Sequence, residues 1–308
     1  MAEKSVIDNP LKILVTGASG YIGQHVCMVL TNMGLHIRGL SRSPCPASFQ
    51  NIEWIQGDII DPQTMKMAVL GCQCVIHLAC LSEVACQKDP KLAFQVNTIG
   101  TLNVLEAARQ IGVDKFIFTS SGQVYGEQSR LPNRESDLPR PISLYAASKL
   151  CGEILCQSYI QTFNLQVIVL RLFNVYGPSI DRTPRHTVET IFWELISQGQ
   201  PPQILAHPQS GRDFIHIHDV IRSIQLALVT PILNGTTNII NVGTGMLTTL
   251  IDLVYIEASL FNRTDLKPTI VETNQKPICF QADPRRAWEL LKFKANIPLE
   301  KGLLSLTE

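Results

Sequence analysis

A doubly wound parallel α/β sheet with a smaller, interleaved α/β lobe is the fold class this sequence predicts. Three observations carry the prediction. From residue 12 to about 172, short apolar runs alternate with helix-period segments, the signature of βαβ units. The first of these runs empties into three spaced glycines ahead of an amphipathic stretch. Beyond Gly177-Pro178 the alternation breaks into proline-punctuated segments, which marks a second lobe.

In chain order, strands are expected at KILVTG (12–17), HIRGLS (36–41), IEWIQG (52–57), CVIHLA (74–79), KFIFTS (115–120) and QVIVLR (166–171). Helices are expected between them at 21–33, 62–70, 90–111 and 143–163. The third helix closes on Gly112, a residue suited to the left-handed turn that ends a helix. After residue 178, one helix is expected near 187–198. FIHIHD (214–219) and NIINVG (238–243) read as strands returning to the main sheet, and helices near 248–261 and 284–292 close the chain. The implied organisation is a main domain of residues 1–177 plus about 212–245. The smaller lobe takes about 178–211 plus 246–308.

Composition narrows the function classes. The 308 residues are 45% hydrophobic and 17% charged, with 26 basic and 26 acidic side chains. A balanced charge without a basic run leaves nucleic acid no electrostatic footprint. No 18-residue apolar stretch predicts a membrane span, and MAEKSVIDNP lacks the apolar core of a secretory leader; a cytoplasmic protein is expected. The nine Cys and seven His are scattered without metal-ligand spacing, so no metal site is expected.

Two motifs carry chemistry. In TGASGYIG, Gly17, Gly20 and Gly23 follow a strand and open a helix near Tyr21 and Ile22. Such glycines let backbone approach a pyrophosphate, whose charge then rests on the helix N-terminus. In YAASK, Tyr145 and Lys149 stand four apart, on one face of a helix. A neighbouring ammonium favours the phenolate, a base able to take an alcohol proton as hydride leaves the same carbon.

These motifs appear in order with NTIGTLNVLEAAR (97–109), TSSGQVYG (119–126), RLFNVYGP (171–178), RDFIHIHDV (212–220) and NVGTG (241–245). Together they resemble the extended short-chain dehydrogenase/reductase family, in its nucleotide-sugar epimerase and dehydratase branch, over about 12–303. The resemblance implies a Rossmann domain and a catalytic trio of Ser121, Tyr145 and Lys149. Ser121 would bond the reacting oxygen, Tyr145 act as base, and Lys149 hold the nicotinamide ribose. It also implies that Asp58, with Ile59, contacts adenine and that Leu78 and Ala79 run along the cofactor. Asn97 is expected either at the cofactor or in stabilising a helix bend. Ser82, Ser121 and Asn174 would meet substrate, and Arg212 would pair with the diphosphate. His77 is expected to pack rather than to move protons. Arg182 and Arg185 are expected as a solvated loop, with a phosphate grip as the other reading. The family further implies a homodimer built on the 90–111 and 143–163 helices.

Three positions depart from the family pattern. Where relatives that prefer NAD place an acid after the second strand, this chain has Ser41-Arg42, which favours NADP over NAD. After Ser121, Gly122-Gln123 replaces the Asp-Glu of dehydratases, and neither residue shuttles protons. At 273–276, Thr-Asn-Gln-Lys replaces an Arg-containing diphosphate motif, leaving Lys276 as the available cation. The leading expectation is epimerisation of a nucleotide sugar by transient oxidation, at C4. NADPH-dependent reduction of a 4-keto sugar or other carbonyl is the alternative. A third possibility, a non-catalytic dinucleotide-binding regulator, sits less well with an intact Ser, Tyr and Lys.

Overall fold

In this computed structural model the described residues are 11–307, apart from 128–129, 182–184, 232–237, 272–273 and 275. The chain forms two compact units. The first comprises Met1–Thr119, Ser148–Val169 and Pro231–Asn238; the second comprises Ser120–Ala147, Leu170–Thr230 and Ile239–Glu308.

The six expected strands all form: β1 (Lys12–Thr16), β2 (His36–Ser41), β3 (Glu53–Gln56), β4 (Cys74–His77), β5 (Lys115–Ser121) and β6 (Val167–Leu172). Across the seven-stranded sheet the order is β3, β2, β1, β4, β5, β6 and then Asn238–Val242. β1 pairs in parallel with β2 (Val15 opposite Gly39) and with β4 (Val15 opposite Ile76). Helices on both faces explain why β4 and the last four residues of β1 are buried in an unbroken run, not in alternation. The strand order reverses at β1 and β4, so a crevice opens beyond their carboxyl ends, the place where such sheets bind ligands.

Helices Tyr21–Asn32, Pro62–Val69 and Leu144–Phe163 fall close to expectation. The expected single helix over 90–111 is interrupted. It runs as Pro90–Phe94, a wider π-type turn over Gln95–Gly100, and Thr101–Ile111, ending on Gly112 at φ 78°.

In the second unit, FIHIHD corrects to a three-residue strand, Phe214–His216, followed by the helix Ile217–Val229. That strand pairs with Asn174–Tyr176 in its own two-stranded sheet and does not return to the main one. Ile217, Val220, Ile221, Ile224 and Ala227 are buried at helical spacing. The longer 3.6-residue period therefore overrides the short alternation before it. Helices Val188–Ser197 and Leu250–Leu260 pack a core that includes Phe192, Trp193, Leu253 and Val254. A three-stranded sheet sets Gly211–Arg212 between Thr248–Thr249 and Cys279–Phe280.

Candidate active site

The first unit holds a cleft of about 230 Å³ at the β1/β4 reversal. Gly17 turns the chain out of β1 at φ 70°, and a Cβ there would lie 2.8 Å from both the backbone N and Cα of Ala79. At Gly23 a Cβ would stand 2.1 Å from Gly17 O. The first glycine brings two backbones together, and the third seats the helix on the turn. The helix Tyr21–Asn32 starts at Gly20 with no side-chain cap and no acid in its first turn. Its leading amides and positive dipole end therefore suit an anion.

Gly17, Gly20, Ser41, Arg42, Asp58, Ile59, Leu78 and Ala79, all expected at the cofactor, line this cleft. Tyr21, Ile22 and Gly23 lie in the helix start beneath it and are not part of the lining. Ser19, Leu40, Gly57, Cys80, Leu81 and Val96 also line it and escaped prediction. Ser19, Leu40, Gly57 and Cys80 are chain neighbours of predicted positions, so adjacency was the available signal. Ser19 Oγ meets Ser41 Oγ at 2.5 Å, and Ser41 Oγ accepts from Ser43 N at 3.2 Å. Arg42 is exposed at the rim, and Asp58 Oδ1 accepts the Ile60 amide at 3.2 Å.

Behind the cleft, a polar relay fixes the loop after β4. Thr101 gives its hydroxyl hydrogen to Asn97 O (2.7 Å), so it accepts from His77 Nε2 (2.9 Å). His77 Nδ1 is then the acceptor for Thr16 Oγ1 at 2.7 Å, and Thr16 Oγ1 in turn accepts from Ala79 N. Burial, and secondarily the Lys149 charge, pushes the His77 pKa down to about 3. The ring is a neutral, fully engaged spacer, as packing predicts. Asn97, in the π-type turn, accepts from Leu81 N (2.7 Å) and donates to Leu81 O (3.3 Å) and Ser148 Oγ (2.9 Å). It is 2% exposed and stands behind the loop instead of lining the cleft.

Ser121 closes β5 in extended conformation, and its Oγ accepts from Gln123 N at 3.2 Å. That bond uses a lone pair and leaves the hydroxyl hydrogen to be donated. The next residue, Gly122, is pressed on Phe173, whose ring atoms would lie 3.0 Å from a Cβ. Tyr145 and Lys149 lie one turn apart on Leu144–Phe163, whose start is pinned by Ser143 Oγ accepting from Ala146 N. Tyr145 is half-buried. Lys149 is 3% exposed and donates from Nζ to Thr119 O at 2.8 Å, two residues before Ser121, with Nζ 5.3 Å from the centre of the Phe118 ring.

Among residues expected at substrate, Asn174 donates its amide to Asp213 O at 2.9 Å. Arg212 donates from Nη1 to Gly211 O (2.9 Å) and Ile278 O (2.7 Å), with its guanidinium 5.1 Å from the centre of the Phe280 ring. Ser82 is exposed and caps Glu83–Lys88 through Ala85 N. Lys276 is exposed. Arg185 donates to Val175 O at 3.2 Å, tying its loop to a strand. Arg182, Thr273 and Gln275 lie outside the described residues.

The model of the NAD-dependent epimerase/dehydratase family matches residues 13–243. UDP-glucose 4-epimerase of Mycolicibacterium smegmatis is 30% identical, covering 97% of this chain and 98% of that protein. The UDP-glucose 4-epimerase of Thermotoga maritima, solved with UDP-glucose, superposes with TM-score 0.86 at 29% identity, over 95% of this chain and 96% of the other. UDP-glucuronic acid 4-epimerase of Bacillus cereus, solved with UDP-glucuronic acid and NAD, gives TM-score 0.84 at 30% identity, over 96% and 97%. The chain belongs to the NAD-dependent epimerase/dehydratase family. Among the described residues no helix is long and apolar enough to cross a membrane.

Proposed function

We propose that this member of the epimerase/dehydratase family inverts C4 of a nucleotide-activated sugar by transient oxidation. The observation that carries the reading is the cleft at the β1/β4 reversal. An uncapped helix N-terminus, a glycine with no room for a side chain and a rim of Ser41, Arg42 and Asp58 fit a pyridine dinucleotide there. Bound dinucleotide supplies a reversible hydride acceptor.

The remaining steps belong to the chain's own residues. Tyr145 is the base that takes the sugar hydroxyl proton, a role worth about 10²–10⁴-fold in rate. Ser121 donates its hydroxyl hydrogen to the same oxygen, matching charge as it develops. Lys149 offers its other N–H groups to the ribose and, one helical turn from Tyr145, favours the phenolate. Asn174, Arg212, Ser82 and Lys276 are assigned to the sugar nucleotide. Residues 1–177 with about 212–245 are assigned chiefly to the dinucleotide and also supply the substrate contacts Ser82, Asn174 and Arg212; about 178–211 with 246–308 form the substrate lobe. Elimination of water is disfavoured, because Gly122 is pressed on Phe173 where dehydratases carry an acid.

Ser41 and Arg42 favour NADP(H): a hydroxyl and a guanidinium stand where an acid would repel the 2′-phosphate. This same rim supports a second reading, net NADPH-dependent reduction of a 4-keto sugar. A homodimer through helices Thr101–Ile111 and Leu144–Phe163 is consistent with exposed Ile111, Ile154 and Phe163 on them. A cytoplasmic location completes the proposal.

One experiment separates the readings. UDP-glucose and UDP-glucuronic acid are incubated with enzyme and substoichiometric NADP⁺ or NAD⁺, and the sugar is followed by proton NMR. The expected result is the C4 epimer with no net reduced coenzyme. Stoichiometric oxidation of added NADPH on a keto sugar, with no epimer formed, would overturn epimerisation in favour of reduction.

A further inference from the structure

We propose that Asp213 is the positioning residue that aims Arg212 at the substrate diphosphate. This rests on the reading above that Arg212 binds the nucleotide sugar. Asp213 is fully buried, and its carboxylate receives four donors. Oδ1 accepts from Thr244 N (2.8 Å) and Thr244 Oγ1 (2.6 Å); Oδ2 accepts from Gly245 N (2.8 Å) and Ala282 N (3.1 Å). Burial holds its pKa above the ordinary carboxylate value, and the four donors offset only part of that rise.

The consequence is a frame around Arg212. Asp213 directly follows the Gly211–Arg212 strand, and the two side chains meet different partners: the carboxylate takes Thr244, Gly245 and Ala282, and the guanidinium takes the Gly211 and Ile278 carbonyls. On the Asp213 side, one carboxylate ties the Thr244-Gly245 turn to Ala282. On the Arg212 side, Phe280 is its parallel neighbour in register, beneath the guanidinium. Ala282, two residues from Phe280, is the point at which the carboxylate holds that strand. Gly243 shows how closely the frame is built: a Cβ there would lie 2.8 Å from Asp213 Oδ2 and 2.6 Å from Ala282 Cβ.

Calorimetric titration of UDP and of NADP⁺ into the intact protein tests this, alongside kcat at saturating sugar nucleotide. Asp213→Asn turns an amide N–H₂ toward the Gly245 and Ala282 amides; UDP Kd is expected to rise about 30-fold or more, roughly 2 kcal/mol. NADP⁺ affinity and saturating kcat stay within about twofold, the pattern of lost ground-state binding. Thr244→Val removes one donor to Asp213, together with the acceptor of Met246 N, without changing side-chain volume much and is expected to raise UDP Kd about three- to tenfold, whereas Thr244→Ser restores it. Arg212→Ala is the control. If it leaves UDP binding unchanged, the diphosphate role of Arg212 falls and this inference falls with it. If Arg212→Ala weakens UDP while Thr244→Val does not, Asp213 is not the aiming residue. Equal losses of UDP affinity, NADP⁺ affinity and kcat in Thr244→Val overturn the proposal in favour of general destabilisation.

Discussion

The dinucleotide cleft of the first unit and the Arg212 frame of the second are built by opposite means. In the cleft, what matters is the absence of side chains: Gly23 seats the helix on Gly17 within one short motif, and Gly17 leaves room for the backbone of Ala79 beyond β4. In the frame, what matters is one buried side chain, Asp213, joining residues that lie 31 and 69 positions away. A steric rule over eight residues is local, whereas a hydrogen-bond hub is a long-range fact. The difference extends to charge. The buried His77 of the first unit is neutral with both nitrogens engaged. The second unit buries Glu257 with neither carboxyl oxygen partnered, and Glu189 beside it in the same core.

Four tests break or sharpen that contrast. The largest effect is expected at Tyr145→Phe, which removes only the phenolic oxygen. Epimer formation should fall about 10²–10⁴-fold with melting temperature and dinucleotide affinity retained. Unchanged turnover in this variant refutes the assigned base.

Next in size is a matched pair, Gly23→Ala and Gly243→Ala. The first forces a methyl to within 2.1 Å of Gly17 O, against backbone that has nowhere to go. A loss of roughly 1–3 kcal/mol of stability and of dinucleotide binding is expected. The second crowds the Asp213 carboxylate and should weaken UDP while sparing the dinucleotide. Identical binding losses in both variants, by calorimetry, abolish the distinction between the two regions.

The third test concerns pH. Burial, and then the charge of Glu189, raises the Glu257 pKa from an ordinary 4.5 to about 10. The unfolded chain therefore releases this proton at much lower pH than the folded chain does. The group's contribution to folding is complete below the unfolded value and drains away as pH climbs toward the folded one. Stability should thus fall between pH 5 and 9, by at most about 1.4 kcal/mol per pH unit from this group. Glu257→Met should flatten the slope and raise the melting temperature at pH 8; thermal melts across the range check both.

The smallest effect is expected at the rim. Arg42→Ala should weaken NADP⁺ about tenfold and NAD⁺ little, a difference of roughly 1.4 kcal/mol. Equal weakening of the two coenzymes removes the argument for NADP preference.

Legibility followed the same divide. The seven strands of the main sheet and the glycine turn were readable from periodicity and spacing, and the cleft positions Ser41, Arg42, Asp58, Leu78 and Ala79 from the resemblance to the family, whose motifs fall at or just past strand ends. The misread FIHIHD segment shows the limit: alternation over five residues yields to a 13-residue helix that buries five apolar side chains. Asn97 illustrates another. The sequence left it between the cofactor and a helix bend, and only the fold shows it in the π-type turn, clasping Leu81 from behind.

Chain chemistry alone determined that a strand–glycine–helix unit exists, that Tyr145 and Lys149 share a helix face, and that no acid follows Ser121 or the second strand. Those are properties of residues adjacent along the backbone, where sterics and periodicity act without help. Tertiary structure alone decided that Asp213 organises the Arg212 frame, that His77 is locked neutral, and that Glu257 is buried without a partner. Hydrogen-bond partners and loss of water depend on which distant segments meet, and no local pattern encodes that.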